Sequence, residues 1–314
     1  MPYPLARLDI IFAGSGEYGL PTLSALLEAG HRIVQVVSQP DRPAGRGRRL
    51  WPTPISAFAR QHGLPLLTTD DINAERLVPA DLMLVIAFGQ KIAPHQVEHA
   101  RLGGINLHAS RLPRLRGAAP INWAILRGDQ ITGNSVIRLA QRLDAGDILA
   151  QSLLTIGELE TAGELHERLA RDGAALVPRV IDDLAGGVAT ATPQLEHEAT
   201  LAPKLSREAG RIDWSAGGAE IARRIRGLFP WPGCHVAVVD EQGSLRGRLT
   251  LVRARPGAAT SAAPGVIDER GQVGSGDGIA VEVLEVQPEG KRPMSLAAYR
   301  RGHPWTAGMR LESL

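Results

Sequence analysis

The sequence predicts two domains of different class, an α/β domain followed by a small β-barrel. Apolar strands and helices alternate from the beginning of the chain, as in the strand Leu8–Ala13, the helix Pro21–Glu28 and the strand Arg32–Ser38. This alternation favours an α/β domain, with buried strands of the kind found in parallel, Rossmann-like sheets. The last third instead contains short strand-like runs separated by turns, which is typical of a small barrel. These runs are Cys234–Val239, Leu249–Ala254, Gly265–Asp268 and Ile279–Gln287.

The length and composition are those of an ordinary globular protein. The 314 residues suffice for about two domains, and we expect them at 1–188 and 207–314, joined by a linker at 189–206. With 44% hydrophobic and 22% charged residues the chain has ample material for a core. A net charge of +2 demands no polyanionic partner, although it permits one.

The cysteine content and the first residues indicate a cytoplasmic location. The single cysteine, Cys234, excludes an intrachain disulfide and a cysteine-rich metal cluster. Residues 1–8 lack the regions of a secretory signal, and no apolar run approaches the roughly 20 residues of a membrane span. No spacing of histidine, cysteine and acidic residues suggests a metal site.

A glycine-rich turn follows the first strand. Gly14, Gly16 and Gly19 form the pattern G-x-G-x-x-G between a strand and a helix, which is the context of a dinucleotide site. However, the second strand ends in Ser38-Gln39-Pro40 and lacks the acid that binds a ribose. We therefore favour a tight turn with close packing, and keep a nicotinamide-dependent dehydrogenase as the alternative.

The segment 39–50 is predicted to be a basic loop. Its glycines and prolines disfavour packed structure, and it has four arginines and one acid: Arg42, Arg46, Arg48, Arg49 and Asp41. Such a run is usually solvated and mobile. Its functional interpretation is contact with phosphates, the sequence-independent part of nucleic-acid binding.

The next elements lead to the central strand of the sheet. We predict a helix at Thr53–His62, a short strand at Leu64–Leu67, and a strongly apolar strand at Leu82–Ala87 that ends in Phe88-Gly89.

Two polar residues then follow near the end of another strand. In Ile105–His108 the side chains of Asn106 and His108 share one face, because strand side chains alternate. The carboxyl ends of strands are where open α/β sheets bind ligands. Asp144 lies in a corner between two further strand-like runs, 134–139 and 148–156.

An amide, an imidazole and a carboxylate are a working set for acyl transfer. The alternative is that the Asn106 amide and the His108 imidazole form an internal hydrogen-bonded pair that caps the strand. The sequence leaves both open at this point.

The remaining helices have ordinary structural explanations. Pro120–Arg127 and Ala219–Leu228 are predicted helices, and Thr161–Leu184 has an apolar stripe of core type. The polar segment 190–202 is predicted to be irregular, with Gln194 to Glu198 exposed.

Several long motifs resemble those of the folate-dependent formyltransferases, most closely the members that act on methionyl-tRNA, and occur in the same order. They are Ile105–Ser110, Leu112-Pro113, Arg116–Ile121, Leu143–Asp147, Pro203–Ser206 and Arg211–Trp214. The resemblance covers nearly the whole chain. It implies an open, largely parallel sheet and a C-terminal barrel of the OB type. The chain departs from the family pattern at Ser15, Gly16, Phe88 and Arg111.

The resemblance also implies an activity. A formyl group would pass from 10-formyltetrahydrofolate to the α-amino group of initiator methionyl-tRNA, with no metal and no NAD, in a cytoplasmic monomer that does not bind membranes. Asn106 and His108 would stabilise the oxyanion, and Asp144 would hold His108 or relay a proton. The implied folate contacts are Phe88, Gly89, Ser110, Arg111, Leu112, Pro113 and Leu143. The implied tRNA contacts are Arg42, Arg46, Arg48, Arg49, Lys204, Arg226 and Lys291.

Formyltransferases of a nucleotide sugar or of a purine precursor share the fold and the site, so they remain alternatives. The basic loop and the C-terminal barrel favour a tRNA substrate over both. A non-catalytic RNA-binding protein would need the loop and the barrel but none of Asn106, His108 and Asp144.

Overall fold

The computed structural model of the chain describes residues 7–44 and 49–314, and these form two compact units. The first contains the described residues up to Gly117 together with Thr132–Leu154 and His166–Leu201. The second contains Ala118–Ile131, Thr155–Leu165 and Ala202–Leu314. Both units are therefore discontinuous in sequence.

The chain contains both strands and helices. The strands are β1 (Asp9–Gly14), β2 (Arg32–Ser38), β3 (Arg42–Ala44), β4 (Arg49–Trp51), β5 (Leu66–Thr68), β6 (Leu82–Ile86), β7 (Gly104–His108), β8 (Arg116–Gly117), β9 (Ile131–Thr132), β10 (Ser135–Arg138), β11 (Ile148–Gln151), β12 (Leu154–Thr155), β13 (Leu201–Ala202), β14 (Cys234–Val239), β15 (Leu245–Ala259), β16 (Ile279–Pro288), β17 (Met294–Ser295) and β18 (Arg310–Ser313). The helices are α1 (Leu20–Glu28), α2 (Pro54–Gln61), α3 (Pro94–Val97), α4 (Pro120–Arg127), α5 (Ala162–Ala185), α6 (Gly218–Leu228) and α7 (Leu296–Arg300).

The first unit is built on a seven-stranded sheet with the order β11-β10-β7-β6-β1-β2-β5. The strands from β7 to β5 pair in parallel, and β10 runs antiparallel to both of its neighbours. All five residues of β6 are buried, as expected for a central parallel strand covered on both faces. The predicted open, largely parallel sheet is confirmed.

The strand order reverses at β1, because the chain moves from β1 outward to β2 and β5 and then returns to β6 on the other side. Ligands of open α/β sheets bind at such a point, beyond the carboxyl ends of the strands. The segments that leave β1, β6 and β7 are therefore the ones that can form a site.

Local sequence signals explain most element boundaries. The predicted ranges of β2 and α4 agree with the structure residue for residue. Helix α2 begins at Pro54, after Thr53 accepts a hydrogen bond from the Ser56 amide at 3.0 Å. Strand β6 ends one residue earlier than predicted because Ala87 has a left-handed φ of 47°.

The segment 39–50 differs from the loop that the composition predicts. Its described residues form a short antiparallel hairpin of β3 and β4, with Arg42 opposite Trp51 and Pro43 opposite Leu50. The two strands have three residues each, too few to show a periodic pattern in the sequence.

The second unit contains a five-stranded antiparallel sheet with the order β17-β16-β15-β14-β18. Isolated bridges continue from β18 back to β16, because Val266 pairs with Arg310, Ile267 with Val273, and Val273 with Val281. The strands therefore close into a small barrel, as predicted. The predicted strand Gly265–Asp268 contributes only these bridges.

The barrel interior is apolar and is covered by α6. Buried side chains of the helix, including Ile221 and Ile225, belong to one core cluster with Val236, Leu251 and Trp214. In the described part of the chain, no helix has the length and hydropathy to cross a membrane.

Candidate active site

Strands β7 and β10 place the two polar residues that the sequence singles out. In the antiparallel register, Asn106 lies opposite Ile137 and His108 lies opposite Ser135. Asn106 is half-buried, and its side chain has no hydrogen-bond partner among the residues that the structure describes. The predicted internal pair of Asn106 with His108 is therefore not formed. The amide remains available to an external acceptor.

His108 is buried and held at both ring nitrogens. Its Nε2 donates a hydrogen bond to the Leu115 carbonyl oxygen at 2.9 Å. Its Nδ1 faces the Asp144 carboxylate, with 3.6 Å between Nδ1 and Oδ1. This distance is longer than a hydrogen bond, but catalytic contacts often shorten when substrate binds.

The Asp144 side chain is as buried as that of His108, with exposed fractions of 8% and 7%. Its Oδ2 accepts a hydrogen bond from the Gly117 amide at 2.9 Å. The backbone of Asp144 has a left-handed φ of 53°, which is uncommon outside glycine and typical of functional corners. The corner between β10 and β11 thus aims the carboxylate at His108, and Asn106 lies two residues before His108 on the same strand.

Two further residues hold this corner in place. The Gln194 Nε2 donates to the carbonyl oxygens of Asp144 at 2.9 Å and of Gly146 at 2.7 Å. A Cβ on Gly146 would lie 1.9 Å from the Arg138 carbonyl oxygen, so only glycine fits there.

A buried arginine, Arg116, binds the oxygen of the Gln194 side-chain amide. Arg116 donates to the Gln194 Oε1 from Nη2 at 2.7 Å and from Nε at 3.0 Å, and to Glu196 at 2.9 Å. The Arg116 hydrogen bond holds the pKa of the Glu196 carboxyl below its ordinary value, and Arg142 adds to the effect. The expectation of an exposed Gln194 was wrong, because this amide lies half-buried on the corner.

The loop that leaves β7 is fixed by two side chains from neighbouring strands. Ser135 donates to the Ser110 carbonyl oxygen at 2.6 Å and accepts from the Leu112 amide at 3.0 Å. Gln151 donates to the Leu112 carbonyl oxygen at 2.8 Å. Neither Ser135 nor Gln151 could be singled out from the sequence, because both act only through the sheet register.

Some of the predicted folate contacts are buried and others are accessible to solvent. Ser110 and Leu112 are buried, whereas Arg111 is exposed and Pro113 is half-buried. Leu143 has a side chain 64% exposed beside Asp144, which leaves it free to contact an apolar ring.

The Phe88 side chain, an implied folate contact, is buried in the core of the sheet. Its side chain is 2% exposed and belongs to the core cluster of the sheet with Val85 and Ile72. Its carbonyl oxygen accepts a hydrogen bond from the Gln39 Nε2 at 2.9 Å. Gly89 is exposed and has a φ of 79°, so its main chain rather than a side chain is presented to solvent.

The glycine turn is used for packing. A Cβ on Gly14 would lie 2.8 Å from both the Ile86 carbonyl oxygen and the Phe12 ring. At the end of β2, where a nucleotide site needs an acid, the Ser38 hydroxyl is hydrogen-bonded to Thr53 at 2.6 Å. These contacts support the packing interpretation that the sequence favoured.

The predicted tRNA contacts are partly on the surface. Arg42, Lys204 and Lys291 are exposed, and Arg49 begins β4. Arg46 and Arg48 lie outside the described residues.

Arg226 is the exception, and its assignment to the tRNA surface was wrong. It is 8% exposed, and its guanidinium donates to the carbonyl oxygens of Ala254 and Glu160, both at 3.1 Å. Burial lowers the pKa of this group. These bonds direct the guanidinium toward carbonyl oxygens inside the second unit instead of toward solvent.

Comparison with known proteins identifies the family of the chain. Residues 6–181 match the sequence profile of the family described as formyl transferase, and residues 204–304 match its C-terminal domain. The methionyl-tRNA formyltransferase of Phenylobacterium zucineum is 40% identical over 310 residues, which cover 97% of this chain and 100% of the relative. The enzyme of the same name from Bacillus velezensis is 37% identical, with coverages of 93% and 94%.

Solved structures show the same fold at low sequence identity. A sugar 3N-formyl transferase, WlaRD, with dTDP and 5-N-formyl-THF matches with a TM-score of 0.65 at 17% identity, covering 91% of this chain and all of its own. HypX from Aquifex aeolicus with tetrahydrofolic acid matches with a TM-score of 0.61 at 17% identity, covering 94% of this chain and 47% of its own. The chain belongs to the formyl transferase family, and the two relatives named above, which it matches over almost their full length, are methionyl-tRNA formyltransferases.

Proposed function

We propose that this chain transfers the formyl group of 10-formyltetrahydrofolate to the α-amino group of initiator methionyl-tRNA, giving N-formylmethionyl-tRNA for translation initiation. The observation that carries the proposal is the cluster at the end of β7. There Asn106, whose amide has no hydrogen-bond partner among the described residues, stands two residues before an imidazole that faces the buried carboxylate of Asp144. Relatives of the whole chain bear the name of this activity.

Asn106 has the role of oxyanion donor. The nucleophile is an α-amino group, which titrates near about 8 and is therefore partly neutral without activation. Its nitrogen forms a bond to the formyl carbon, and the carbonyl electron pair moves to the formyl oxygen. A donor aimed at that oxygen stabilises the transition state more than the ground state. The Asn106 amide has the required N–H groups and no competing acceptor in the described chain.

His108 and Asp144 have the role of moving the proton. The amine loses a proton after attack, and the folate nitrogen gains one as its bond to the formyl carbon breaks, so one group near both nitrogens can serve both steps. The His108 Nε2 is occupied by the Leu115 carbonyl oxygen, so Nδ1 and the Asp144 carboxylate form the side that handles the proton. The Gly117 amide keeps that carboxylate in place.

The folate would bind at the carboxyl edge of the sheet. The residues present fit a pteridine, because the exposed main chain at Gly89 offers hydrogen bonds and Leu143 offers an apolar contact. The Ser110–Pro113 loop, fixed by Ser135 and Gln151, supplies the neighbouring wall. The Arg111 side chain is exposed and is assigned to no group of the folate.

The tRNA would be held by Arg42, Arg46, Arg48, Arg49, Lys204 and Lys291. The three of these side chains whose exposure is described are free to meet phosphates. We keep 1–188 as the catalytic region, 189–206 as a linker and 207–314 as the tRNA-binding region, in a monomeric cytoplasmic enzyme.

The test is formylation of purified methionyl-tRNA by the purified protein with 10-formyltetrahydrofolate. Rapid transfer to initiator methionyl-tRNA and little transfer to elongator methionyl-tRNA is the expected result. No transfer to either tRNA, from protein that still binds the folate, would overturn the proposal. An amino sugar nucleotide and a purine-precursor amine are then the acceptors to assay.

A further inference from the structure

A large aromatic side chain is exposed beside the basic segment of the first unit. The Trp51 side chain, on β4, is 61% exposed, and the neighbouring Leu50 is 67% exposed. Tryptophan is highly buried on average in folded proteins. An exposed indole in a basic segment is therefore a candidate contact for a ligand or partner.

The hairpin register places Trp51 and Arg42 on one face. They are directly opposite each other in the antiparallel pair β3–β4, and side chains of directly opposite residues project to the same side. Pro43 and Leu50, the next opposite pair, project to the other side. One face thus carries an aromatic ring and a cation, and the other carries two apolar side chains.

The cation on this face is not neutralised by the acid beside it. Asp41 is paired with Arg60 of α2, with 3.1 Å between the Asp41 Oδ2 and the Arg60 Nη1. Arg42 instead donates to the neutral Gln39 amide, with 3.0 Å between Nη2 and Oε1. An aromatic ring next to an available cation is the composition of sites for single-stranded nucleic acid, where bases stack and phosphates pair.

The Gln39 side chain also anchors this face to the active edge of the sheet. Its Nε2 donates to the carbonyl oxygen of Phe88, just past the end of β6. Strand β6 pairs with β7 at Val85 and Asn106. When the α-amino group of the methionyl-tRNA lies at Asn106, the last nucleotides of the tRNA, which carry the methionyl group, must lie near this edge.

We infer that Trp51 is a stacking platform for an unpaired nucleobase at the acceptor end of the aminoacyl-tRNA, with Arg42 contacting an adjacent phosphate. This inference rests on the proposed function and names the part of the tRNA that the hairpin receives. The stack is formed by the indole face and does not depend on the identity of the base, because every base presents a π-face.

The experiment compares Trp51→Ala, Trp51→Phe, Leu50→Ala and Arg42→Ala in tRNA binding at several salt concentrations. Loss of one base stack is expected to weaken binding of methionyl-tRNA by about 10- to 100-fold in Trp51→Ala. Because no charge is removed, the slope of log affinity against log salt should stay that of the wild type. Arg42→Ala should flatten this slope by about one unit. Trp51→Phe should retain most of the affinity, and Leu50→Ala, on the opposite face, should bind like the wild type.

Circular dichroism of each variant checks that it is folded. Stacking of a base on Trp51 can also be followed by tryptophan fluorescence. Subtracting the Trp51→Phe fluorescence from that of the wild type isolates the Trp51 emission, which bound tRNA should quench. The inference is overturned if Trp51→Ala binds like the wild type, if Leu50→Ala is impaired equally, or if Trp51 emission does not change. It is also overturned if Trp51→Ala only lowers the solution mass of the protein, since Trp51 would then contact a second copy of the chain.

Failure of this inference is distinguishable from failure of the proposed function. If the wild type formylates initiator methionyl-tRNA and Trp51→Ala does so with the same KM, only the stacking role of Trp51 is rejected. If the wild type formylates no tRNA, both the proposed function and the stacking role that rests on it are rejected.

Discussion

The Gln194 Nε2 lies 2.9 Å from the carbonyl oxygen of Asp144, fifty residues earlier in the chain. This contact connects a segment between the predicted domains to the carboxylate that faces His108. The same amide also binds the Gly146 carbonyl oxygen, so a single side chain holds both ends of the turn. Gln194 is therefore a positioning residue for Asp144.

Replacing Gln194 should lower kcat without unfolding the protein. Gln194→Glu keeps an oxygen that accepts from Arg116 but loses the N–H groups that bind the two carbonyl oxygens. Leaving buried groups unpaired costs about 1–3 kcal/mol each, and we expect kcat to fall by about tenfold or more. Steady-state kinetics with a melting curve would check this.

The matched control is Glu196→Gln, which weakens the contacts of Glu196 with Arg116 and Arg142 but keeps the Gln194 hydrogen bonds to the carbonyl oxygens of Asp144 and Gly146. We expect it to keep most of the turnover. Equal effects of Gln194→Glu and Glu196→Gln on kcat would assign Gln194 to general stability instead.

Arg226→Met should destabilise the second unit and leave tRNA contact intact. The variant keeps the apolar stem but removes the donors to the carbonyl oxygens of Ala254 and Glu160. The expected loss in the free energy of unfolding is about 1–3 kcal/mol, measured by urea denaturation.

The comparison variant is Lys291→Ala, since Lys291 is exposed. It should change the salt dependence of tRNA binding and have little effect on stability. A folded Arg226→Met protein of wild-type stability and weaker tRNA binding would restore Arg226 to the tRNA surface.

The ion pair at the start of α5 should make stability depend on acid pH. Glu164 accepts from Arg253 at 2.7 Å and from the Thr161 amide at 2.8 Å, and the Arg253 hydrogen bond is the main reason that its pKa falls to about 2. A lowered pKa means that the stabilisation is present above the ordinary value near 4.5 and is lost as the pH falls toward about 2.

Glu164→Gln removes the charge and keeps the capping oxygen of the helix start. Because the Glu164 side chain is 49% exposed, solvent screening limits the expected difference at pH 7 to about 0.2–1 kcal/mol. Denaturation of both proteins at several values from about pH 2 to about pH 7, the range over which the Glu164 carboxyl ionises, would measure it. A difference that grows as the pH falls would contradict the ion-pair account.

The buried thiol should be inert in the folded protein. Burial raises the pKa of Cys234 to about 12, so very little thiolate exists near neutral pH, and the thiolate is the reactive form. A thiol reagent should modify Cys234 only after denaturation. Rapid modification of the native protein would show that β14 opens.

Much of the fold could be predicted from local patterns. The bounds of β2, α4 and β14 agree with the predicted ranges, because apolar runs, proline at a helix start and flanking turn residues act over a few positions. The β3–β4 hairpin could not be predicted in this way, because strands of three residues are too short to show an alternation of apolar and polar side chains.

Site residues that belong to a continuous sequence motif could be predicted. Site residues that act through contacts between distant segments could not. Asn106, His108 and Asp144 belong to recognisable runs, and the structure places the His108 imidazole against the Asp144 carboxylate. Gln194 reaches its partners only through tertiary packing. Arg226 carries the same charge as an exposed arginine, so the sequence cannot tell that α6 turns it inward.

The most direct test of the central claim is the rate of formyl transfer by Asn106→Ala at saturating 10-formyltetrahydrofolate and initiator methionyl-tRNA. Losing one oxyanion donor typically costs about 100- to 1000-fold in rate. We expect a fall in kcat of that order, with an unchanged circular dichroism spectrum and little change in folate affinity. Turnover near that of the wild type would contradict the account, since Asn106 would then not stabilise the formyl oxygen.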